Sequence, residues 1–338
     1  MDKLKIALVG AGGISQIVRI PVLKKIENLE LVAICEVDEA KASFIADKYE
    51  INNVYFDIQS MLNEEKLDGL FICTPNNFHY PMALAALEHK VPALVEKPLA
   101  LNAEQARRLA EKSNKSGVPL VIGMNYRFRD DAVILKDFLA KNELGEAFYV
   151  KTGWLRQWQK HPHQPWMLDK KISGGGVLMD MGIQLIDLAL WLLDQPKIKN
   201  VRGYTYNLFS GGNVEDSALA VIETEHDAVI TVEVAWQMHL EKDMTYTHVF
   251  GRQGGAFMNP LRLYKEMHGN LVNVTPVHSK PNVDNFKSAF EIEIHHFIEV
   301  LRGNTEPVTP AEDGIYMLQI IDAIYESARK GTQINLME

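Results

Sequence analysis

The sequence lacks several features that would place it in other classes of protein. Its 338 residues include only two cysteines, Cys35 and Cys73, too few for a disulfide framework or a metal-binding cluster. Against 44 acidic residues stand only 35 basic ones, a net charge of −9, without the basic surface that nucleic acid or anionic lipid requires. We also find no apolar run of the about 18–20 residues that span a bilayer. We therefore expect a cytoplasmic protein with no metal site and no nucleic-acid or membrane partner.

The chain has two regions with different hydrophobic patterns. Its length also predicts two domains, at about 100–200 residues each. Up to about residue 124, short apolar runs alternate with amphipathic segments, which is typical of a parallel sheet covered by helices on both faces. After residue 125, alternating strands and a hairpin near residues 225–227 indicate a largely antiparallel sheet. The predicted fold class is α/β: a doubly wound parallel sheet over residues 1–124, then an α+β domain with a large, mostly antiparallel open sheet over residues 125–338.

A glycine-rich loop follows the first predicted strand and opens the first helix. Its sequence, Gly10-Ala11-Gly12-Gly13-Ile14-Ser15, is one step from the G-x-G-x-x-G/A pattern that lets backbone N–H groups approach a pyrophosphate. Glu36 ends the second strand, where a carboxylate accepts hydrogen bonds from ribose hydroxyls and repels a 2′-phosphate. The pattern predicts NAD binding, with NADP disfavoured; the alternative is a simple turn and a solvated glutamate.

Further motifs follow in order along the chain. Residues 73–79 (Cys-Thr-Pro-Asn-Asn-Phe-His) follow the fourth strand, Glu96-Lys97-Pro98 the fifth, and Asn125-Tyr126-Arg127 marks the domain junction. Gly174-Gly175-Gly176 then precedes a helix that carries Asp180, Gly182, Gln184 and Asp187. With this order and spacing, nearly the whole chain resembles the glucose–fructose oxidoreductase / inositol dehydrogenase / rhizopine catabolism (Gfo/Idh/MocA) family.

The resemblance implies an enzyme that transfers a hydride between NAD and a hydroxyl or keto carbon of a sugar, cyclitol or related polyol. It implies a Rossmann domain over residues 1–124, a substrate-binding and oligomerisation domain over residues 125–338, and a homodimer or homotetramer. The cofactor-binding residues are expected to be Gly10, Gly12, Gly13, Ile14, Glu36, Thr74, Pro75, Asn76, His79 and Glu96. For His79 the alternative is a residue that only begins a helix.

Alcohol oxidation also needs a group that holds the hydroxyl proton. Lys97 follows a strand at the edge where doubly wound sheets place ligands, so we expect it to relay this proton. The alternative is a surface ion pair between Glu96 and Lys97. At about 100° per residue, Asp180, Gln184 and Asp187 share one helix stripe about 60° wide, next to an apolar row. This stripe is interpreted as a catalytic face, the alternative being a solvated one.

Gln184 departs from the resemblance, because the family usually carries a histidine base at this position. A glutamine side chain donates and accepts hydrogen bonds but does not titrate near neutral pH. Three substitutes remain open: Lys97 alone, Asp180, or a histidine from the segment 157–166. We assign Lys97, Asp180 and Gln184 as the catalytic residues.

The segment 157–166 is rich in aromatic and proton-carrying side chains, which suit a sugar surface; a plain loop or a subunit contact is the alternative. Its His161 and His163 flank a proline and do not form a metal pair. The predicted substrate-binding residues are Lys97, Tyr126, Arg127, His163, Trp166, Asp180 and Gln184. Arg127 has the alternative role of a brace between the two domains.

Two other functions remain open from the sequence. One is a non-catalytic sensor that binds NAD and a sugar, which the glutamine at position 184 would allow. The other is an enzyme that keeps its NAD bound and recycles it within each turnover.

Overall fold

The computed structural model describes residues 3–158, 164–277 and 285–337. Its contacts divide the chain into two compact units. The first comprises Met1–Asn125 and Phe290–Leu318, and the second comprises Tyr126–Ala289 and Gln319–Glu338. The boundary expected after residue 124 stays a prediction, since the units are built from more than one stretch of the chain.

The first unit is organised around a six-stranded parallel sheet with the order β3-β2-β1-β4-β5-β6. The strands are β1 (Leu4–Val9), β2 (Leu29–Cys35), β3 (Asn53–Tyr55), β4 (Gly69–Ile72), β5 (Ala93–Glu96) and β6 (Leu120–Gly123). Strands β4, β5 and β6 are buried throughout, as expected when helices cover both faces. This confirms the predicted doubly wound domain.

The second unit contains a nine-stranded sheet with the order β14-β13-β12-β11-β7-β10-β9-β8-β15. The strands are β7 (Ala147–Gln157), β8 (Ile198–Tyr206), β9 (Ser217–Thr224), β10 (Val229–Met238), β11 (Met244–Gly251), β12 (Gly254–Met258), β13 (Arg262–Met267), β14 (Asn270–Asn273) and β15 (Ile334–Asn335). In the described part of this second sheet, only the β7–β10 pair is parallel. The expectation of a mostly antiparallel sheet is confirmed.

Ten α-helices occur in the described residues. They are α1 (Ile20–Leu23), α2 (Glu39–Tyr49), α3 (Ile58–Glu64), α4 (His79–Glu88), α5 (Ala103–Ser116), α6 (Asp130–Ala140), α7 (Lys170–Ser173), α8 (Ile183–Leu192), α9 (Asn285–Leu301) and α10 (Ala311–Lys330). Two five-residue π-helical turns precede α1 and α8, at Ser15–Arg19 and Leu178–Gly182. Such turns are frequent at functional sites.

Helix α9 completes the core of the first unit although it comes late in the chain. Ile294, Phe297 and Ile298 belong to the same buried cluster as the residues of β1 and β2. The rings of Phe71 on β4 and Phe297 pack edge to face with their centroids 5.2 Å apart. The core of the first sheet is therefore completed by a helix that comes late in the chain.

One helical segment, residues 170–192, is long and apolar enough to span a bilayer by composition. The expectation that no stretch reaches that length is therefore wrong. However, 89% of its most apolar 18-residue window is buried inside the protein. Such burial is typical of a core helix, and this one carries the predicted catalytic stripe.

Candidate active site

The glycine loop is held against the ends of neighbouring strands in the first unit. Gly10 has a φ of +88°, and a Cβ on it would lie 2.7 Å from the carbonyl oxygen of Cys73. No residue larger than glycine fits there without displacing the chain after β4. The Ser15 hydroxyl donates a hydrogen bond of 2.6 Å to the Gly10 carbonyl, which ties the loop to the helical turn that follows.

The loop has the features that a dinucleotide needs. Gly12 and Gly13 are exposed, and a Cβ on either would meet nothing within 4 Å, so their backbone faces open space. Beside them, the Thr74 hydroxyl oxygen is buried with no hydrogen-bond partner in the described part of the chain. A buried hydroxyl without a partner is costly unless a ligand completes it. The residues present therefore fit a bound dinucleotide.

Glu36 lies at the end of β2 and contacts this loop directly. Its carboxylate accepts hydrogen bonds from the N–H groups of Ala11 at 2.9 Å and Asp38 at 3.2 Å, and it pairs with Lys41 at 2.8 Å. Burial opposes its ionisation, but the hydrogen bonds from Lys41, Ala11 and Asp38 outweigh burial and hold the pKa of Glu36 below its ordinary value. A negative charge is thus fixed beside the glycine loop at neutral pH.

His79 is buried and joins the segments that follow β4 and β5. Its Nδ1 lies 2.6 Å from the Pro98 carbonyl oxygen and its Nε2 lies 2.8 Å from the Thr74 carbonyl oxygen. Burial lowers the pKa of His79, while both carbonyls oppose that change. His79 therefore positions the chain next to Lys97, and it is the first residue of α4. Its expected contact with the cofactor stays a prediction.

Glu96 takes part in a buried charge network that the sequence did not reveal. Arg19, fully buried, contacts Glu96 at 2.7 Å and Glu293 of α9 at 2.6 Å through one guanidinium nitrogen, Nη2. Burial raises the pKa of Glu293 to about 7. The Arg19 guanidinium opposes this rise, and the nearby Glu96 carboxylate adds to it. The network fixes the end of β5, and the half-buried Lys97 is the next residue.

In the second unit, Asp180 lies within the π-helical turn before α8 and is half-buried. The indole N–H of Trp236, at the end of β10, donates a hydrogen bond of 2.9 Å to Asp180 Oδ2. Trp236 itself is 1% exposed. A rigid aromatic side chain therefore fixes one carboxylate oxygen of the predicted catalytic aspartate.

The rest of the predicted stripe is buried rather than solvated. Gln184 is 7% exposed and Asp187 is fully buried. Asp187 accepts two hydrogen bonds from Arg127, from Nε at 2.9 Å and from Nη2 at 2.5 Å. This bidentate pair holds the segment before α6 against α8 within the second unit. The roles of Arg127 as a brace between the domains and as a substrate contact both stay predictions.

The remaining predicted substrate residues lie in different surroundings. Tyr126 is buried and stacks on Trp154 with centroids 6.1 Å apart, and burial raises its pKa to about 12. Trp166 is half-buried in the short turn Pro165–Leu168. His161 and His163 lie outside the described residues. For this part of the site the sequence assignment stays a prediction.

Four residues that sequence reasoning missed support the site: Arg19, Trp236, Glu215 and Glu293. Each is a charged or polar-tipped side chain in a run that otherwise belongs to the core. Such a residue signals a buried partner, because an uncompensated charge there would be costly. The signal identifies the residue but not its partner, which lies far away in the chain.

Comparison with known proteins supports the architecture over most of the chain. A protein-family model described as "Oxidoreductase family, NAD-binding Rossmann fold" (GFO_IDH_MocA) matches residues 4–124. A second model, "Oxidoreductase family, C-terminal alpha/beta domain", matches residues 136–336. The two models together cover both sheets and every motif named above except Asn125-Tyr126-Arg127, which lies between the two matched ranges.

Individual relatives match along nearly their whole length. D-glucoside 3-dehydrogenase of Escherichia coli (strain K12) is 29% identical, with 98% of this chain and 97% of the relative covered. scyllo-Inositol 2-dehydrogenase (NAD(+)) of Bacillus subtilis (strain 168) is 25% identical, with 99% and 96% covered. The structure of the WlbA dehydrogenase from Bordetella pertussis with NADH and UDP-GlcNAcA aligns with a TM-score of 0.85 at 22% identity, covering 99% of both chains. At that identity the structural match speaks for the fold alone.

Proposed function

This chain belongs to the Gfo/Idh/MocA oxidoreductase family, and we propose that it is an NAD-dependent dehydrogenase or reductase acting on a hydroxyl or keto carbon of a sugar or cyclitol. The observation that carries the proposal is the Asp180 carboxylate, held by the Trp236 indole on a helix that lacks a solvated face. The names of the two curated relatives, a glucoside and an inositol dehydrogenase, support the substrate class.

The cofactor, when bound, supplies a nicotinamide ring that accepts or returns the hydride. The chain supplies the rest: the glycine loop and Thr74 bind the cofactor, and Glu36 selects an unphosphorylated ribose. We propose that Ile14, Pro75 and Asn76 complete this binding surface. Arg19 and His79 keep its strand ends in place.

Lys97 Nζ is the proposed acceptor of the hydroxyl proton. It follows β5 directly, between the buried Glu96 and the Pro98 carbonyl that His79 holds. A lysine on a fixed backbone can take a proton from a hydroxyl and return it in the opposite direction. This proton transfer therefore needs no histidine at position 184.

Asp180 and Gln184 are proposed to hold the substrate hydroxyls. They lie one helical turn apart, so a carboxylate acceptor and an amide that both donates and accepts can bind neighbouring hydroxyls. Tyr126, Arg127, His163 and Trp166 are proposed further substrate contacts.

A homo-oligomer is also proposed, with the open face of the second sheet as its interface. Tyr149 on β7 stacks on Phe250 on β11 at 5.6 Å, and Phe257 on β12 packs edge to face on Phe250 at 5.8 Å. Such half-buried rings on a sheet face favour a second copy as partner. The two thiols are free and buried, which supports a cytoplasmic location. Light scattering on Phe250→Lys should show a smaller assembly than the wild type.

The experiment that tests the function is NADH formation with NAD and a panel of inositols, aldoses, glycosides and sugar phosphates. Lys97→Ala should abolish turnover while NAD binding persists. Lys112→Ala, a half-buried lysine on α5 away from the strand ends, is the matched control and should retain activity.

Three outcomes separate the alternatives. Turnover lost only in Lys97→Ala supports the dehydrogenase. NAD that co-purifies and is reduced by substrate without release of NADH indicates a recycling enzyme. Binding of NAD and sugar without any reduction indicates a sensor and contradicts the proposal.

A further inference from the structure

A buried carboxylate lies at the start of the helix that carries Asp180. Both oxygens of Glu215 accept the Gly176 N–H, at 3.1 and 3.0 Å, and Oε1 also accepts the Leu178 N–H at 3.0 Å. The Tyr325 hydroxyl on α10 donates to the same Oε1 at 2.8 Å. Glu215 thus satisfies N–H groups that have no partner within the helix, as a capping residue does, but from another part of the chain.

The glycine triplet is shaped to this carboxylate–phenol pair. A Cβ on Gly176 would lie 1.8 Å from the carbonyl oxygen of Glu215, and a Cβ on Gly175 would lie 2.1 Å from the hydroxyl oxygen of Tyr325. Both distances are far below contact, so neither position accepts a side chain. The close approach that these glycines permit is made by Glu215 and Tyr325.

The contacts continue from Glu215 to Asp180 in two short paths. Gly176, whose N–H binds Glu215, accepts the Asp180 N–H on its carbonyl at 3.0 Å. On the other path, the carbonyl of Asp216 accepts the Trp236 N–H at 2.9 Å, and the Trp236 indole binds Asp180 Oδ2 at 2.9 Å. The dipeptide 215–216 therefore fixes both the backbone of Asp180 and the side chain that holds its carboxylate.

We propose that Glu215 and Tyr325 are positioning residues that set the place and orientation of the Asp180 carboxylate for substrate. The inference rests on the proposed function for the role of Asp180, but the arrangement itself does not. Burial raises the pKa of Tyr325 well above its ordinary value, so the phenol stays a donor at neutral pH. Neither residue is expected to touch substrate or cofactor.

The test uses the indole N–H of Trp236 as a reporter of the Asp180 carboxylate, in two-dimensional NMR of protein labelled with ¹⁵N-tryptophan. Trp236→Phe assigns the signal, and Asp180→Asn shows where it lies when the carboxylate is lost. The variants are Glu215→Gln, which sets an amide against the N–H groups, and Tyr325→Phe, which removes only the hydroxyl. Ser327→Ala is the control. The buried Ser327 hydroxyl lies on α10, like Tyr325, but it accepts the Gly203 N–H at 3.0 Å and does not contact Glu215.

We expect Glu215→Gln and Tyr325→Phe to move the reporter signal toward its position in Asp180→Asn, whereas Ser327→Ala leaves it in place. With an active substrate, kcat should fall about 10–100-fold in Glu215→Gln and about 3–10-fold in Tyr325→Phe, because small misplacements of a catalytic group are costly in rate. NAD affinity should stay within about twofold, since these residues belong to the other unit.

An unchanged reporter signal in both variants would overturn the inference. The inference would also be overturned if Ser327→Ala, at the same loss of Tm, changed the reporter signal and kcat as much as Glu215→Gln and Tyr325→Phe do. That result would show a general loss of stability. If the wild type shows no turnover on any substrate, the proposed function fails, while the reporter signal still decides whether Glu215 and Tyr325 position Asp180.

Discussion

The two units bury charge in different ways. In the first, one guanidinium, that of Arg19, faces two carboxylates, Glu96 and Glu293. In the second, Arg127 faces the single carboxylate of Asp187 through two parallel hydrogen bonds. The first network has one negative charge too many, and a proton can neutralise it, whereas the second is balanced. The chain therefore places an unbalanced network next to Lys97 and a balanced ion pair on α8, the helix that follows Asp180.

The largest effect should come from the two residues proposed to act on the substrate hydroxyl, Lys97 of the first unit and Asp180 of the second. Lys97→Ala should lower kcat by about 10²–10⁴-fold, the range for loss of a positioned acid or base. Asp180→Asn should lower it by about 100-fold, because the hydroxyl that the carboxylate holds would be misplaced. NAD affinity, measured by calorimetry, should change little in either variant. An unchanged kcat in one of the two variants would show that this residue does not act on the substrate.

Breaking the balanced pair should cost the most stability. Arg127→Leu leaves the fully buried Asp187 without its partner, and we expect a loss of about 3–5 kcal/mol in the free energy of unfolding. Urea denaturation measures this. The double variant Arg127→Leu/Asp187→Leu should recover most of the loss, and a double variant no better than the single one would contradict a simple charge penalty.

The unbalanced network should show itself in pH dependence. Burial raises the pKa of Glu293 from 4.5 to about 7, so the folded state binds more protons than the unfolded state between those values. The free energy of unfolding contributed by this group therefore falls as pH rises through that window. Glu293→Gln should remove about 3 kcal/mol of this dependence, at about 1.4 kcal/mol per pKa unit.

Denaturation of wild type and Glu293→Gln at about pH 4 and pH 8 measures the difference. The variant should gain relative to the wild type at the higher pH. The charged groups that face Glu293 are Arg19 and Glu96, and the wild type and the variant both retain them. A constant difference across the range would show that Glu293 titrates as an ordinary carboxylate.

The smallest effect concerns cofactor choice. Glu36→Gln removes the negative charge beside the glycine loop and leaves Lys41 to face a phosphate, so NADP should gain on NAD by about 1 kcal/mol, roughly fivefold in the ratio of Kd values. Glu39→Gln, an exposed acid at the start of α2, is the control. A ratio unchanged in Glu36→Gln would mean that Glu36 does not face the ribose.

The sequence was most informative where a local rule connects residue and position. In a doubly wound sheet the carboxyl ends of the strands meet at one edge, so Gly10, Glu36, Thr74 and Lys97 could be placed there from strand ends alone. The short apolar runs that alternate with amphipathic segments up to residue 124 likewise correspond to the parallel sheet of the first unit.

Prediction failed where partners are distant and no rule joins them. The sequence patterns did not identify β7 or the strands β12 to β15. The partners of β7 are β10 and β11, about 80–100 residues further along the chain. The side chains that hold the helix of Asp180 also come from distant elements. Trp236 lies on β10, Glu215 lies just before β9, and Tyr325 lies on α10. A helical stripe shows that Asp180 and Gln184 share a face, but only tertiary packing determines what holds that face.

The proposed reaction moves a hydride between NAD and a carbon of a sugar or cyclitol, while Lys97 takes the hydroxyl proton and Asp180 holds the substrate hydroxyl. The most direct measurement is mass spectrometry of the nicotinamide after incubation with carbon-deuterated sugars and inositols. Deuterium is expected in the nicotinamide with the wild type and with Lys112→Ala, and its transfer should be at least about 100-fold slower with Lys97→Ala or Asp180→Asn. Bound NAD that acquires no deuterium from any member of the panel, or equal transfer in Lys97→Ala, would contradict it.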